Sequence, residues 1–172
     1  WRLGIGPARM DLVDVEAVRT ECPHVKRVTP FLFKESVEIT YGLERMTEVP
    51  TRGTSEIYQV IRNYYVDVGR FFGPVEVEFH ANVVVLGRTI LKQLQTDEQI
   101  LGQYVQVNGH RFQVVGILQS KGSMFGEDQD KTIIIPYTSM INMFPQERRS
   151  LRFLLEATSE GDLDAAQQEA TR

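Results

Sequence analysis

The sequence predicts a mixed fold, α/β or α+β, and three observations carry that reading. Runs of β-branched and aromatic residues that alternate with polar ones, such as Val37-Glu38-Ile39-Thr40-Tyr41, are interspersed with segments whose apolar residues recur at spacings of three and four, such as Ile57, Val60, Ile61 and Tyr64. The dipeptide Asn108-Gly109 separates two alternating runs, which is the strongest short-range signal for a hairpin. No βαβ unit and no internal repeat recurs, which disfavours a doubly wound parallel sheet.

The elements follow in order. Asp11 is an N-cap for a helix carrying Leu12, Val15, Val18 and Cys22 on one face, and Pro23 stops it. Between Val25 and Tyr41 β-branched and aromatic residues alternate in places, most clearly Val37, Ile39 and Tyr41, which predicts a strand pair turning near Gly42-Leu43, its second strand ending at Val49-Pro50. Gly53-Thr54-Ser55 turns the chain and caps the helix of Ile57 to Tyr64. The adjacent aromatics Phe71 and Phe72 pin a loop to the body of the domain. Val83-Val84-Val85-Leu86 is a strand buried on both faces, and a helix from about Thr89 to Gln95 turns Ile90, Leu91 and Leu94 inward. The hairpin of 104–107 and 111–117 comes next, then an acidic, glycine-rich loop from Ser120 to Asp130. Thr132 to Ile135 is a buried strand closed by Pro136, and a short helix spans about Ser139 to Phe144. The strand of 150–157 places Leu151, Phe153 and Leu155 on one face, and Gly161-Asp162 caps a final helix.

Composition excludes several function classes. The chain has 172 residues, 42% apolar and 24% charged, which suits a packed globular body of one domain or two small lobes. A net charge of -4 with no dense basic block argues against nucleic acid as a partner. A single cysteine, Cys22, allows neither an internal disulfide nor a paired-cysteine metal site, and reads as a small buried hydrophobe. The longest uncharged run, Thr132 to Gln146, is broken by Pro136 and Pro145 and falls short of the roughly 20 apolar residues of a membrane span. The opening Trp1-Arg2-Leu3 and the close inside a helical pattern lead us to expect a piece excised from a longer chain.

Gly116 to Ser123 nearly spells a phosphate loop, but that loop needs Gly directly before Lys, and here Lys121 precedes Gly122. Gly4-Ile5-Gly6 is followed by Pro7 with no strand before it, which reads as a flexible end rather than a dinucleotide fingerprint. Glu127, Asp128 and Asp130 lack the central glycine and closing glutamate of a calcium loop. His24, His80 and His110 are too widely spaced for a helical metal pair. Glu76 and Glu78 share a face of the alternating stretch 75–79, and they read as its solvent side rather than as an acid/base pair. There is no Gly-x-Ser-x-Gly elbow, so no nucleophile is expected, and neither a metal nor a cofactor.

One loop stands out as a contact surface. Met124 and Phe125 are apolar residues in a polar loop, so they either fold back on their own lobe or bind a partner. Lys121, Met124, Phe125, Glu127 and Asp128 are the candidate partner-contact residues.

The segment Val114-Val115-Gly116-Ile117-Leu118-Gln119-Ser120-Lys121-Gly122-Ser123, followed by Asp128-Gln129-Asp130 and Ile133-Ile134-Ile135-Pro136, resembles the extracytoplasmic (periplasmic core) domain of MacB/FtsX-type ABC transporter permeases. Five further pieces agree in order: Pro23 with Val25 to Pro30, Gly53 to Tyr58, Gly69 to Phe72, Val83 to Gly87, and Ile100-Leu101-Gly102. The resemblance implies a porter-like lobe, residues 1–86 and 146–172, and an inserted, smaller sabre-like lobe, 87–145, with junctions at Gly87 and Phe144-Pro145 that could serve as a hinge. It implies a domain set between two membrane helices on the extracytoplasmic face of a bacterial membrane. The implied role is non-catalytic: ATP is hydrolysed in a separate ABC ATPase domain or subunit, the permease forms a homodimer or heterodimer, and motion outside the membrane serves export or a membrane-fusion-type periplasmic adaptor. Related permeases release lipoproteins, regulate cell-wall hydrolases or sense peptides. A secreted peptide- or small-molecule-binding domain is the alternative from another class.

Overall fold

The computed structural model describes residues 2–5 and 25–157. Its spine is a hairpin of two long strands, β2 (Val25–Tyr41) and β3 (Glu44–Thr54), joined by a turn at Gly42 and Leu43. At about 3.3 Å per residue a strand of this length reaches on the order of 50 Å. Outside the first half of β2 the sheet is extended by β11 (Arg152–Ala157) and then β1 (Arg2–Ile5), both antiparallel to their neighbours. Arg2 lies opposite Glu156 and Val25 opposite Ala157, so the starts of β1 and β2 and the end of β11 share one end of the sheet.

On the other side, β3 pairs in parallel with β10 (Ile133–Pro136), and β10 pairs antiparallel with β5 (Val83–Leu86). Strand β5 runs parallel to β7 (His110–Leu118), whose hairpin partner is β6 (Tyr104–Val107). Strand β6 then returns to β2, with Val107 opposite Ile39, so the circuit β2, β3, β10, β5, β7, β6 closes on itself. Closure pairs both edges of each strand in the circuit over part of its length. Ile39, Leu86, Val107, Phe112, Ile117, Ile133 and Ile135, all on strands of this circuit, are fully buried. Strand β4 (Val66–Gly69) adds an outer edge to β7. Asn108 and Gly109 both have positive φ, 47° and 80°, as the tight hairpin turn requires.

Among the described residues, four short α-helices pack around the sheet: α1 (Tyr58–Arg62), α2 (Pro74–Glu78), α3 (Arg88–Gln93) and α4 (Tyr137–Met143). Helix α4 seats directly on β3 because Gly53 has no side chain there; a Cβ at Gly53 would stand 3.0 Å from Met140 Sδ. Two buried hydroxyls fasten α4 to the region of α2, Thr138 donating to the Val77 carbonyl at 2.6 Å and Ser139 to that of Ala81 at 2.7 Å.

The mixed fold, the strand at 83–86, the helix after it and the Asn-Gly hairpin are as the sequence reads, and Phe71 and Phe72 are buried against one another. Several local readings are corrected. Residues 74–78 are helix, not alternating strand: Pro74 stands at the first helical position and Glu76 reaches back to the Gly73 N–H at 3.0 Å, which are helix-start devices. Strand β3 does not stop at Val49-Pro50 but runs on to Thr54, since beyond Pro50 it gains β10 as a second partner. The helix of Ile57 to Tyr64 is five residues long, because Asn63 takes a left-handed φ of 56° and its N–H bonds the Gln59 carbonyl. Gly4-Ile5 lies in strand β1 rather than in a flexible end. In β11, Leu154 is as buried as Phe153 and Leu155, so both faces are covered. The helices expected at 11–22 and after Gly161 lie outside the described residues.

Candidate functional site

The first half of the β2–β3 hairpin has two different faces. Leu32 and Gly53 face α4, while Phe33 lies directly across from Arg52 on the other side. Over that second face α1 and the turn after it lay two tyrosines. The Phe31, Tyr58 and Tyr64 rings form a stack, with centroids 5.5 and 5.6 Å apart and planes within 17° of parallel. The Arg52 guanidinium sits 5.7 Å from the Phe33 ring centre and 5.1 Å from that of Tyr64, and donates a hydrogen bond to the Thr132 hydroxyl. Burial, partly offset by Arg52, pushes the Tyr58 phenol above its ordinary pKa and keeps it protonated.

The opposite wall is the acidic loop, which is a small hairpin rather than irregular chain: β8 (Ser123–Met124) pairs with β9 (Glu127–Asp128). Its turn residues Phe125 and Gly126 have φ of 53° and 79°. That geometry suits the glycine but strains a phenylalanine by about 1 kcal/mol or more. The hairpin base is clasped by Asp130, whose carboxylate accepts from the Lys121 N–H at 2.7 Å, the Gly122 N–H at 3.2 Å and the Ser120 hydroxyl at 2.7 Å. Burial alone would raise the Asp130 pKa, but these three donors outweigh it and hold the carboxyl below its usual range. Asp128 accepts from the Asp130 N–H at 2.8 Å and from the Thr89 hydroxyl, on α3, at 2.6 Å. Lys121 crosses the gap: its ammonium donates to the Arg62 carbonyl at 2.9 Å and lies 3.9 Å from the Tyr64 ring centre.

Between the two walls is a groove of about 840 Å³. Four of the five residues singled out in the sequence, Lys121, Met124, Glu127 and Asp128, line it. Phe125 does not: it projects from the hairpin tip 98% exposed, so it does not fold back on its own lobe, and Met124 beside it is 55% exposed. Phe33, Arg52, Tyr58 and Tyr64 were not singled out. Phe33 leaves a trace in the alternation Phe31, Phe33, Glu35, which marks a single face of β2, and Tyr64 in the helical spacing after Ile57; neither pattern points to a groove. Glu76 and Glu78 form no carboxylate pair. Glu76 is taken up by a fork to Arg70, with distances of 2.5 and 3.1 Å, and Arg70 is the chief cause of its lowered pKa.

The described residues thus form a β-rich body with a groove lined by aromatic and charged side chains on one face and an exposed apolar hairpin tip beside it. Residues 2–172 match the family model described as the MacB-like periplasmic core domain, and the chain belongs to that family, the periplasmic or extracellular domain of MacB-like membrane transporters. It is 30% identical to the macrolide export ATP-binding/permease protein MacB of Azoarcus sp. (strain BH72) over 96% of this chain and 25% of that protein. With the MacB of Wolinella succinogenes the identity is 36% over 62% of this chain and 16% of that protein. The chain thus spans a quarter or less of the length of these two relatives. In fold it is similar to the crystal structure of the periplasmic region of MacB from Actinobacillus actinomycetemcomitans, with a TM-score of 0.75, 21% identity and coverage of 92% of this chain and 70% of that one. It is also similar to the extracellular domain of the noncanonic ABC-type transporter YknZ from Gram-positive bacteria, with a TM-score of 0.80, 15% identity and coverage of 99% and 90%. No helix among the described residues is long and apolar enough to cross a membrane.

Proposed function

We propose that this domain is a non-catalytic mechanical element of an ABC transporter permease, transmitting ATP-driven motion from a separate nucleotide-binding domain to export or to a membrane-fusion-type periplasmic adaptor. The observation that carries the reading is the family match over residues 2–172. The strand geometry supports it: the starts of β1 and β2 and the end of β11 lie together, while the β2–β3 turn, with a fully exposed Leu43, lies at the opposite end of the hairpin. A domain held at one end and presenting the other is suited to carrying a displacement away from a membrane.

In this reading the permease acts as a dimer, and the docking surface for the adaptor is the β8–β9 hairpin, with Phe125 and Met124 as the apolar anchors and Lys121, Glu127 and Asp128 as the polar surround. An exposed aromatic at a strained backbone position is costly for an isolated domain, and that cost is offset when a partner pocket receives it. The two lobes, 1–86 with 146–172 and 87–145, are proposed as the halves of one coupled element, joined through β5, which ends at Leu86 yet lies between β10 and β7. The test is Phe125→Ala in the full-length permease, read as adaptor affinity together with the thermal midpoint. Affinity should fall at least tenfold with the midpoint unchanged. Unchanged affinity would remove the hairpin from the interface.

A further inference from the structure

We propose that the groove between the β2–β3 face and the β8–β9 hairpin binds a small planar molecule that carries a carboxylate beside an aromatic ring. Its volume of about 840 Å³ lies within the range of roughly 300–1,000 Å³ found for small-molecule sites.

Arg52 determines the ligand class. Arg27, Arg45, Arg70 and Arg88 each hold a carboxylate within 3 Å, from Glu156, Glu38, Glu76 and both Asp67 and Glu98 respectively. Among the described residues Arg52 has no carboxylate within ion-pair distance; its guanidinium is flanked by the rings of Phe33 and Tyr64, with the Thr132 hydroxyl as a neutral acceptor. A guanidinium offers five donors in a planar fork that matches a carboxylate, and Arg52 is half-buried on the groove wall. Phe33 beside it is 42% exposed, leaving room for a ring to stack against it. A ring on Phe33 thus sets an attached carboxylate toward Arg52.

The charge balance of the lining limits the ligand's charge. Arg52, Arg62, Lys121 and Lys131 stand against Glu35, Glu127 and Asp128, an excess of one cation, so a compact monoanion fits better than a polyanion. Met124 lies on the hairpin wall, which connects the occupied groove to the hairpin whose tip is Phe125.

The test is a titration of the 172-residue chain with 2-naphthoate and, as its uncharged match, 2-naphthamide, followed by calorimetry and by amide chemical shifts. We expect saturable binding of the acid at least tenfold tighter than that of the amide at pH 7, with shifts centred on Phe33, Arg52 and Met124. Arg52→Gln should abolish the preference for the acid. Phe33→Ala should weaken both probes at least fivefold without moving the thermal midpoint. Should Arg52→Gln fail to fold, Arg52→Lys keeps the charge but loses the fork, and should bind the acid several-fold more weakly. Equal affinity for acid and amide, shifts centred outside the groove, or a preference that survives both Arg52 variants overturns the proposal.

Discussion

Two carboxylates shape their surroundings through backbone N–H groups rather than through one another. Glu76 reaches back to the Gly73 N–H and forks to Arg70, which fixes the start of α2. Glu76→Gln should therefore cost about 1 kcal/mol, since one cap and one partly exposed ion pair are weakened, and chemical denaturation of the variant checks it. Asp130 is buried and holds two N–H groups and a hydroxyl at the hairpin base. Its folded pKa lies below the unfolded value of about 3.9, so its contribution is complete above that value and is lost as pH falls through the folded one. Asp130→Asn should lower stability at pH 7 by about 2 kcal/mol and flatten the acid limb below about pH 4. It should also speed hydrogen exchange at Lys121 and Gly122. Unchanged protection at those two amides would separate Asp130 from the clasp.

At the scale of elements, Gly87 joins β5 to α3 at a point of close approach. A Cβ there would stand 2.1 Å from the Asp130 carbonyl oxygen, and the Gly87 N–H bonds the Thr132 carbonyl at 2.9 Å. Gly87→Ala should destabilise the fold by on the order of 3 kcal/mol through backbone displacement, measured as a lowered denaturation midpoint. An alanine variant as stable as the parent would mean that the loop base yields without cost. This junction also shows what the sequence can and cannot disclose. Strand β5 and the Asn108-Gly109 hairpin were legible because four consecutive apolar residues and a turn dipeptide are local signals. Helix α2 is masked in the sequence by the alternation of Val75, Val77 and Phe79, of which only Val77 is buried; Pro74 and Glu76 start a helix there instead. The β8–β9 hairpin was hidden because its two-residue strands carry no period and its turn has a phenylalanine where glycine or asparagine is usual.

For the whole molecule, the mixed class was readable but the closed circuit was not, since it depends on β6 returning to β2 across more than sixty residues. The same holds for the groove: Phe33, Arg52 and Lys121 meet only once β2, β3 and the loop after β7 are assembled. The family resemblance supplied what local patterns lacked, and the match over residues 2–172 bears it out. The mechanical role is the central claim, and it concerns displacement, so distance is the quantity to measure. Leu43 is fully exposed at the β2–β3 turn, which makes Leu43→Cys, in a full-length permease with Cys22 and every other cysteine replaced by serine, a site for a spin label in each copy of the proposed dimer. Pulsed dipolar spectroscopy should show the distance between the two labels shifting by several ångströms between the nucleotide-free and ATP-bound states. Superimposable distance distributions in the two states, from a permease that still hydrolyses ATP, would contradict transmission of that motion through this domain.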